Sequence, residues 1–443
     1  MGAENKPGEK PKAITFSMVS KEESLSAVEN SLAELERLLD TLGYEVVDQL
    51  IQHKDVPTAR TMIGSGKVNE LHALCSKSEI QLAVFDGDLS ATQARNLETA
   101  LGKPVTDRCG IILDIFSRHA KTYEAKLQIE LAQLEYGLSR LKRKWTHLSR
   151  QRGGLGLRGG EGETQLEVDR RMTRKSIQVV KDKLNKIQRQ RDVQKKSRQR
   201  FFKVAIVGYT NSGKSTLMNR LCESEVLVQD KLFATLDPTT RIIKPEEKPA
   251  ILFSDTVGFI KKLPHQLVAS FRSTFEEIQD AHLLMHVVDI SDPEYKRRIA
   301  DTISVLEDLD LKKIPRMLVF NKIDANNFST SLERKLIQSI YPEAVFVSAR
   351  TGEDVLKLKD RIFDRFASQI SEKTIEVSFG AEKLMEQIYE LTKVMGSRYA
   401  EDRIYLCFRG ATRDVNYLID RLEKEQLLLH SYDGIKTEVM EQS

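Results

Sequence analysis

Eight consecutive residues have the types and the spacing of a phosphate-binding loop. They match the pattern G-x-x-x-x-G-K-[ST], in which glycines let backbone N–H groups converge on a β-phosphate. The lysine of this pattern bridges β- and γ-phosphate oxygens, and its hydroxyl residue coordinates Mg²⁺. An apolar strand precedes the loop and a helix-forming run follows it. We therefore predict a nucleotide site with Lys214 on phosphate and Ser215 on Mg²⁺, built on the stretch Gly208-Tyr209-Thr210-Asn211-Ser212-Gly213-Lys214-Ser215.

A second motif lies forty residues beyond Ser215. The segment Asp255-Thr256-Val257-Gly258 follows the apolar run Ile251-Leu252-Phe253. An aspartate at such a strand end can hold Mg²⁺ through water, and the glycine N–H can contact a γ-phosphate and so report its presence. D-x-x-G is common by itself, but this position after a phosphate loop makes it specific.

A third motif selects the base. The segment Asn321-Lys322-Ile323-Asp324 follows the apolar run Met317–Phe320 and has the guanine-selective pattern N-K-x-D. A carboxylate on the Watson–Crick edge accepts from guanine N1–H and N2–H, whereas adenine would leave it unsatisfied. The later segment Ser348-Ala349-Arg350 completes the set, because its backbone can support guanine O6.

The first switch of such a site should lie between the phosphate loop and Asp255. Three threonines, Thr235, Thr239 and Thr240, are candidates for its Mg²⁺ ligand, and spacing does not choose among them. Ras-like proteins place a water-orienting glutamine after D-x-x-G, but this chain has Phe259 there. Because phenylalanine cannot hydrogen-bond water, hydrolysis needs another water-orienting group or a partner that orders the site.

A shorter glycine-lysine segment, Gly64-Ser65-Gly66-Lys67, resembles a phosphate loop but fails the template. The residue five before Gly66 is Thr61 rather than glycine, and Val68 replaces the hydroxyl residue. We interpret this segment as a glycine-bounded helix start, with weak anion binding as the alternative.

Alternating strand and helix patterns must position these motifs. We predict an α/β chain with a disordered tail and four further parts, because apolar runs alternate with amphipathic spacing before and after a long helical segment. The parts are the tail 1–12, an N-terminal α/β subdomain with a largely parallel sheet (13–116), a helical hairpin (117–200), a P-loop GTPase domain (201–370) and a small α+β C-terminal domain (371–443).

The hairpin segment is basic and carries a heptad seam. Between residues 117 and 200 there are 23 Lys and Arg against 9 Asp and Glu, although the whole chain has a net charge of only +4. Six glycines lie within residues 153–163, which indicates a flexible tip between two antiparallel helices. The charge favours a polyanion such as nucleic acid, with a solvated helical face as the alternative. The seam residues are Leu127, Leu131, Leu134, Leu138, Leu141, Trp145 and Leu148, followed by Ile177, Val180, Leu184 and Ile187.

Composition narrows the protein class further. The first residues are polar, which is not typical of a secretory signal, and no apolar run reaches the roughly 18 residues of a membrane span. Four cysteines lie far apart without a C-x-x-C pair, which argues against a zinc site or a disulfide framework. We therefore expect a cytoplasmic protein.

Together these motifs resemble the HflX family of ribosome-associated GTPases, and the resemblance covers nearly the whole chain. Beyond the GTPase motifs, it rests on Asn96–Glu98, Gly110–Phe116, Glu124–Gln128, Gly162–Glu167, Phe233–Thr239 and Asp255–Ile260. The resemblance implies GTP and GDP as nucleotides, with Mg²⁺ bound by Ser215 and Thr235. It adds a first-switch segment to the nucleotide contacts: Phe233, Ala234, Thr235, Leu236 and Asp237. Lys214, Thr235, Asp255 and Gly258 are then the expected catalytic set.

The resemblance also implies partners. Family members bind the large ribosomal subunit and the 70S ribosome, and some split stalled ribosomes under stress, with the glycine-rich tip reaching toward the peptidyl transferase centre. We thus expect a GTP-driven switch that contacts ribosomal RNA through the hairpin and is monomeric off the ribosome. Two alternatives remain: an ATP-dependent ribosomal RNA remodeller acting through the N-terminal domain, and a signalling GTPase whose hairpin only docks a protein.

Overall fold

The fold falls into two compact units, one up to Arg189 and the other comprising most of the chain from Gln190 onward. No helix in the described ranges is long and apolar enough to cross a membrane. The computed structural model describes residues 10–21, 23–141, 161–195, 201–222, 239–243, 249–256, 258, 278–325, 331–380, 382–400 and 402–434.

The first unit begins with a four-stranded, wholly parallel sheet in the order β2-β1-β3-β4. Its helices connect parallel neighbours, as alternating strand and helix patterns predict. The elements are β1 (Lys12–Val19), α1 (Leu25–Thr41), β2 (Glu45–His53), α2 (Ser65–Lys77), β3 (Leu82–Phe85), α3 (Ala91–Leu101), β4 (Val105–Asp107) and α4 (Arg108–His119).

Helix α4 was not predicted, and its burial explains why. Eight of its twelve residues, including Arg108, are buried, so no polar face marks a helical period. Helix α2 begins at the glycine-lysine segment, with Gly64 as its N-cap and the Gly64 N–H donating to Gln52 Oε1 at 2.8 Å. Lys67 pairs with Glu70 at 2.8 Å, so the structure supports the helix-start interpretation.

Two long helices form the arm of this unit, α5 (Tyr123–Leu141) and α6 (Glu161–Lys195). Leu127, Leu131 and Val180 are buried together, and Lys181 pairs with Glu135 at 2.9 Å across the two helices. At about 1.5 Å per residue, α6 is roughly 50 Å long. The heptad positions Trp145 and Leu148 and residues 153–160 of the glycine-rich tip lie outside the described residues, whereas residues 161–163 belong to α6.

One carboxylate joins the arm to the sheet. Asp107, at the end of β4, accepts hydrogen bonds from the N–H groups of Leu89 (3.1 Å) and Gly110 (3.0 Å). It also accepts from the Tyr136 hydroxyl and from Arg140 of α5, both at 2.7 Å. Burial raises the pKa of Tyr136, so its hydroxyl stays a donor. The Asp107 carboxylate therefore bonds three segments of the domain and fixes the C-terminal turns of α5 to the end of β4.

The second unit contains a six-stranded sheet in the order β10-β9-β8-β5-β7-β6, in which only β6 is antiparallel to its neighbour. Apolar runs at 203–207, 250–254, 283–288, 316–320 and 344–347 predict five strands, which the structure confirms, whereas β6 was not predicted. The elements are β5 (Phe202–Val207), α7 (Lys214–Leu221), β6 (Thr239–Ile243), β7 (Ile251–Asp255), β8 (Leu283–Asp289), α8 (Tyr295–Asp308), β9 (Arg316–Asn321), α9 (Ser331–Ile340), β10 (Val345–Phe346) and α10 (Val355–Ala367).

The C-terminal part is an antiparallel sheet in the order β12-β13-β11-β14 with two helices, which confirms the α+β fold class. The apolar stretches 375–379 and 404–408 predict two strands, which correspond to β11 and β13, whereas the outer strands β12 and β14 were missed because none of their residues is buried. The elements are β11 (Ile370–Ser378), α11 (Glu382–Leu391), β12 (Lys393–Tyr399), β13 (Arg403–Ala411), α12 (Thr412–Lys424) and β14 (Leu428–Asp433).

The bond between arm and sheet gives a first prediction. Tyr136→Phe removes the hydroxyl that donates to Asp107 and should lower the free energy of unfolding of the N-terminal unit by about 1–2 kcal/mol. Denaturant unfolding followed by far-UV circular dichroism measures it. The control is Tyr123→Phe on the same helix, where the side chain is 63% exposed and no loss is expected. Equal stability of the two variants would contradict the role given to Asp107.

Candidate nucleotide-binding site

The phosphate loop connects β5 to α7 and depends on two glycines. Gly208 and Gly213 have φ angles of +147° and +88°, which side chains rarely adopt. A Cβ atom on Gly208 would lie 2.2 Å from the Val287 carbonyl oxygen, and one on Gly213 would lie 2.2 Å from Asn321 Nδ2. Both positions therefore require glycine, and the second brings the loop against the base-recognition motif.

Lys214 is buried at the start of α7. Its Nζ donates to the carbonyl oxygens of Gly208 (3.1 Å) and Tyr209 (2.8 Å), which hold it across the loop. Burial lowers the pKa of Lys214 to about 8, and the nearby Asp255 carboxylate opposes that shift. A bound phosphate would stabilise the charged ammonium further, as expected for a lysine that bridges phosphate oxygens.

One predicted magnesium ligand, Ser215, contacts Asp255, the carboxylate expected to hold the ion through water. Ser215 Oγ and Asp255 Oδ2 are 2.5 Å apart, and Thr256 Oγ1 donates to the Ile206 carbonyl oxygen at 2.7 Å. Mg²⁺ prefers a hydroxyl, carboxylate-bound water and phosphate oxygens, so these groups fit the ion. The ion would be held by Ser215 and, through water, by Asp255, and it would neutralise phosphate charge.

Gly258 returns the chain to the phosphate loop. A Cβ atom on it would lie 2.8 Å from Thr210 Cα and 2.9 Å from Lys214 Nζ. The first and last residues of the D-x-x-G motif thus both reach the loop, as a sensor of a γ-phosphate requires.

The base-recognition motifs surround one cavity. Asn321 Nδ2 donates to the Ser212 carbonyl oxygen at 2.8 Å, and Asn321 Oδ1 accepts from the Ala349 N–H at 2.9 Å. Ser348 Oγ donates to Asp324 Oδ1 at 2.7 Å. The cavity has a volume of about 330 Å³ and is lined by Gly213, Thr216, Asn321, Lys322, Asp324, Ala325, Ala349 and Arg350.

Two residues that sequence reasoning missed support this cavity. Asp289 ends β8 and pairs with Lys322 at 2.7 Å, while Lys322 itself has a left-handed φ of 67°. Arg220 of α7 donates to the carbonyl oxygens of Ala349 (3.2 Å) and Arg350 (2.9 Å). Asp289 could have been found from its place at a strand end on the same sheet edge, whereas Arg220 carries no sequence signal.

Another pair supports the phosphate loop. The guanidinium carbon of Arg298 lies 4.5 Å from the centre of the Tyr209 ring, and Arg298 also pairs with Asp292 at 2.5 Å. Since the Tyr209 carbonyl oxygen holds Lys214, this stacking helps to fix the lysine.

The predicted switch residues are described only in part. Of the three threonine candidates, Thr239 and Thr240 lie on β6, opposite Asp255 and Ser254 of β7. Six predicted contact residues and the residue after D-x-x-G lie outside the described residues: Phe233, Ala234, Thr235, Leu236, Asp237, Val257 and Phe259.

Comparison with known families covers most of the chain. Residues 29–117 match the family described as GTP-binding GTPase N-terminal, and residues 119–198 match GTP-binding GTPase Middle Region. Residues 203–322, which contain the phosphate loop and the N-K-x-D motif, match the family described as 50S ribosome-binding GTPase.

Curated relatives agree with these family matches. The GTPase HflX of Magnetococcus marinus is 47% identical over 348 residues, covering 78% of this chain and 79% of the relative. The GTPase HflX of Escherichia coli is 40% identical over 374 residues, covering 84% and 87%. The crystal structure of a GTP-binding protein from Sulfolobus solfataricus in complex with GDP is 25% identical, with a TM-score of 0.42 over 80% of this chain and 98% of that one.

The motifs, their convergence at one sheet edge and relatives of this identity lead to one conclusion. The chain belongs to the HflX family, and it is a ribosome-associated GTPase that binds GTP and GDP with Mg²⁺ and hydrolyses GTP to GDP and phosphate.

Proposed function

We propose that this GTPase binds the large ribosomal subunit and the 70S ribosome in its GTP state and splits or rescues stalled ribosomes under stress. In this proposal it acts in the cytoplasm as a monomer off the ribosome. GTP orders both switch segments and fixes an orientation in which the arm engages ribosomal RNA, and hydrolysis releases it. The observation that carries the switch is that the phosphate loop and the N-K-x-D motif line one cavity, while Asp255 and Gly258 of the D-x-x-G motif contact the phosphate loop and the start of α7.

Residue roles within the site are part of this proposal. Lys214 bridges β- and γ-phosphate oxygens, and the Gly258 N–H reports the γ-phosphate. Ser215 and Thr235 bind Mg²⁺ directly, and Asp255 holds it through water. The contact residues are Gly208, Tyr209, Thr210, Asn211, Ser212, Gly213, Lys214 and Ser215 around phosphate, Phe233, Ala234, Thr235, Leu236 and Asp237 in the first switch, Asp255, Thr256, Val257 and Gly258 in the second, and Asn321, Lys322, Ile323, Asp324, Ser348, Ala349 and Arg350 around guanine.

The charge of the arm supports ribosomal RNA as its target. Between residues 167 and 190 of α6 there are eight Lys and Arg against three Asp and Glu. The apolar side chains of the two helices, including Leu127 and Val180, pack against each other, and most of these basic residues are exposed. A long helical pair with such a surface can follow a phosphate backbone, and its affinity then falls with salt.

Sedimentation with ribosomes tests the proposal. The chain should co-sediment with 50S subunits and 70S ribosomes more strongly with a non-hydrolysable GTP analogue than with GDP, and less at high salt. Ribosome binding that depends neither on the bound nucleotide nor on the salt concentration would contradict the proposal. ATP-dependent RNA remodelling that survives Lys214→Ala would instead support the alternative.

The base-recognition role predicts a change of nucleotide. Asp324→Asn keeps an oxygen that can accept from Ser348 Oγ but presents an amide donor to the guanine amino group. GTP affinity should fall at least tenfold, and xanthosine triphosphate, whose 2-oxo group accepts from the amide, should bind better than GTP. Competition against a fluorescent nucleotide measures both, with the exposed Asp360→Asn as control. An unchanged preference for guanine would disprove this role.

Asp289 should act as a positioning residue for Lys322. Asp289→Asn removes the charge that pairs with Lys322 and should weaken GTP affinity roughly three- to tenfold, about 1 kcal/mol, with kcat nearly unchanged. The control is Glu294→Gln, whose ion pair with Arg297 lies outside the motif. A fall in kcat with unchanged KM would contradict a role in binding alone.

The tip of the arm should matter more for splitting than for binding. Deleting residues 153–162 and joining the helices by a short polar turn should leave GTP affinity intact, because the phosphate loop and the base-recognition motifs lie in the other unit. Ribosome affinity should fall only partly, since many basic residues remain on the helices, whereas the splitting rate should fall much further. Light scattering of 70S ribosomes measures splitting. Full affinity together with a full splitting rate would show that the tip is passive.

A further inference from the structure

The C-terminal sheet has one face that packs on helices and one that faces away from them. Ile404, Leu406 and Phe408 of β13 are buried with residues of both α11 and α12. Because side chains alternate along a strand, Arg403, Tyr405, Cys407 and Arg409 point to the opposite side. We call this side the outer face and define it by Arg398, Arg403, Tyr405, Arg409, His430 and Tyr432.

Strand register arranges the outer face in rows across the sheet. One row contains Arg398 of β12, Tyr405 of β13, Glu376 of β11 and His430 of β14. The next row contains the small residues Gly396, Cys407 and Thr374 and ends at Tyr432. Planar side chains thus lie on both sides of a strip of small ones.

The planar groups of the outer face form two pairs. The guanidinium carbon of Arg398 lies 5.4 Å from the centre of the Tyr405 ring, and the Tyr405 hydroxyl donates to Glu376 Oε1 at 3.4 Å. The rings of His430 and Tyr432 have centroids 6.2 Å apart. Unpaired bases stack on aromatic rings and on guanidinium planes, so each pair offers a stacking platform.

The charge of the outer face is positive. It carries four basic side chains, Lys393, Arg398, Arg403 and Arg409, against three carboxylates, Glu372, Glu376 and Asp402. Arg403 forms ion pairs with Glu376 and Asp402, and Arg409 lies 3.7 Å from Glu372. These pairs hold two guanidinium groups at the surface, where they can also meet phosphate oxygens. The large aliphatic side chains of β13 point to the helices, so this face lacks the apolar centre of a typical protein interface.

We propose that the outer face binds single-stranded RNA. Unpaired bases stack on the Tyr405–Arg398 and His430–Tyr432 pairs, while Arg403 and Arg409 contact phosphates. Single strands are favoured over duplex because only unpaired bases expose their ring faces to a flat sheet. The choice of RNA rests on the ribosome association of the family and not on ribosome splitting or on the arm.

Binding of a short RNA to the whole protein tests this proposal. The probe is a fluorescein-labelled twelve-nucleotide oligouridine, and fluorescence anisotropy is recorded over a range of salt concentrations with GDP present. Tyr405→Leu removes a stacking platform and should weaken binding at least fivefold without changing the salt dependence. Arg409→Gln should reduce the slope of log affinity against log salt by about 0.7, the value for one phosphate contact on a single strand.

Matched controls come from the helical side of the same domain. Tyr417 and Arg421 of α12 lie within 3.4 Å of each other through their polar atoms, and Tyr417 is 50% exposed. Tyr417→Leu and Arg421→Gln should leave RNA affinity within twofold of the wild type. Equal losses from the control and the outer-face variants would overturn the proposal.

Photocrosslinking of the unmodified protein covers the case in which a variant does not fold. The same oligonucleotide with 4-thiouridine should crosslink to peptides that contain Tyr405 or Tyr432. Crosslinks confined to residues 117–200 would assign RNA binding to the arm alone and overturn the proposal. Because neither assay contains ribosomes or GTP, failure here is distinguishable from failure of the ribosome-splitting function.

Discussion

The side-chain amide of Asn321 is the contact on which the nucleotide site depends. Its two polar atoms bond the Ser212 carbonyl oxygen of the phosphate loop and the Ala349 N–H of the segment after β10. Since Asn321 ends β9 next to Asp324, one planar group fixes three loops relative to one another. The same amide leaves no room for a Cβ atom at Gly213. Phosphate and base recognition are therefore coupled by geometry, and a shift in one loop moves the other.

Electrostatics explains why this arrangement favours a polyanion. Lys214 is buried, burial lowers its pKa to about 8, and its Nζ donates to the backbone carbonyl oxygens of Gly208 and Tyr209. Backbone carbonyls stabilise an ammonium less than phosphate does, so a bound triphosphate relieves the cost of burial. The Ser215–Asp255 contact beside it supplies oxygens for Mg²⁺. Burial thus destabilises the charged Lys214 ammonium when no phosphate is bound, and it strengthens the attraction between the ammonium and a phosphate that binds.

The sequence predicted the elements that are marked by a run of buried apolar residues or by residue types that a particular backbone conformation requires. Strands β5, β7, β8 and β9 are apolar runs between helices, and the motifs follow their carboxyl ends as the fold requires. Edge strands such as β6, β12 and β14 were missed because main-chain pairing, not apolar side chains, holds them. Arg220, Asp289 and Arg298 were missed because they act through residues distant in sequence, and no local spacing marks such contacts.

The arm adds a mechanical constraint of a different kind. Lys181 of α6 pairs with Glu135 of α5 and lies 20 residues from the start of α6 at Glu161. At about 1.5 Å per residue, a tilt of about 10° at Lys181 displaces that end by roughly 5 Å, which is more than the length of a hydrogen bond. Contacts made by that end are therefore sensitive to how firmly α5 is held near Glu135. The Asp107 carboxylate holds this part of α5 through Tyr136 and Arg140 and also caps α4. The position of the arm therefore depends on the hydrogen-bond cluster around Asp107 at the end of β4.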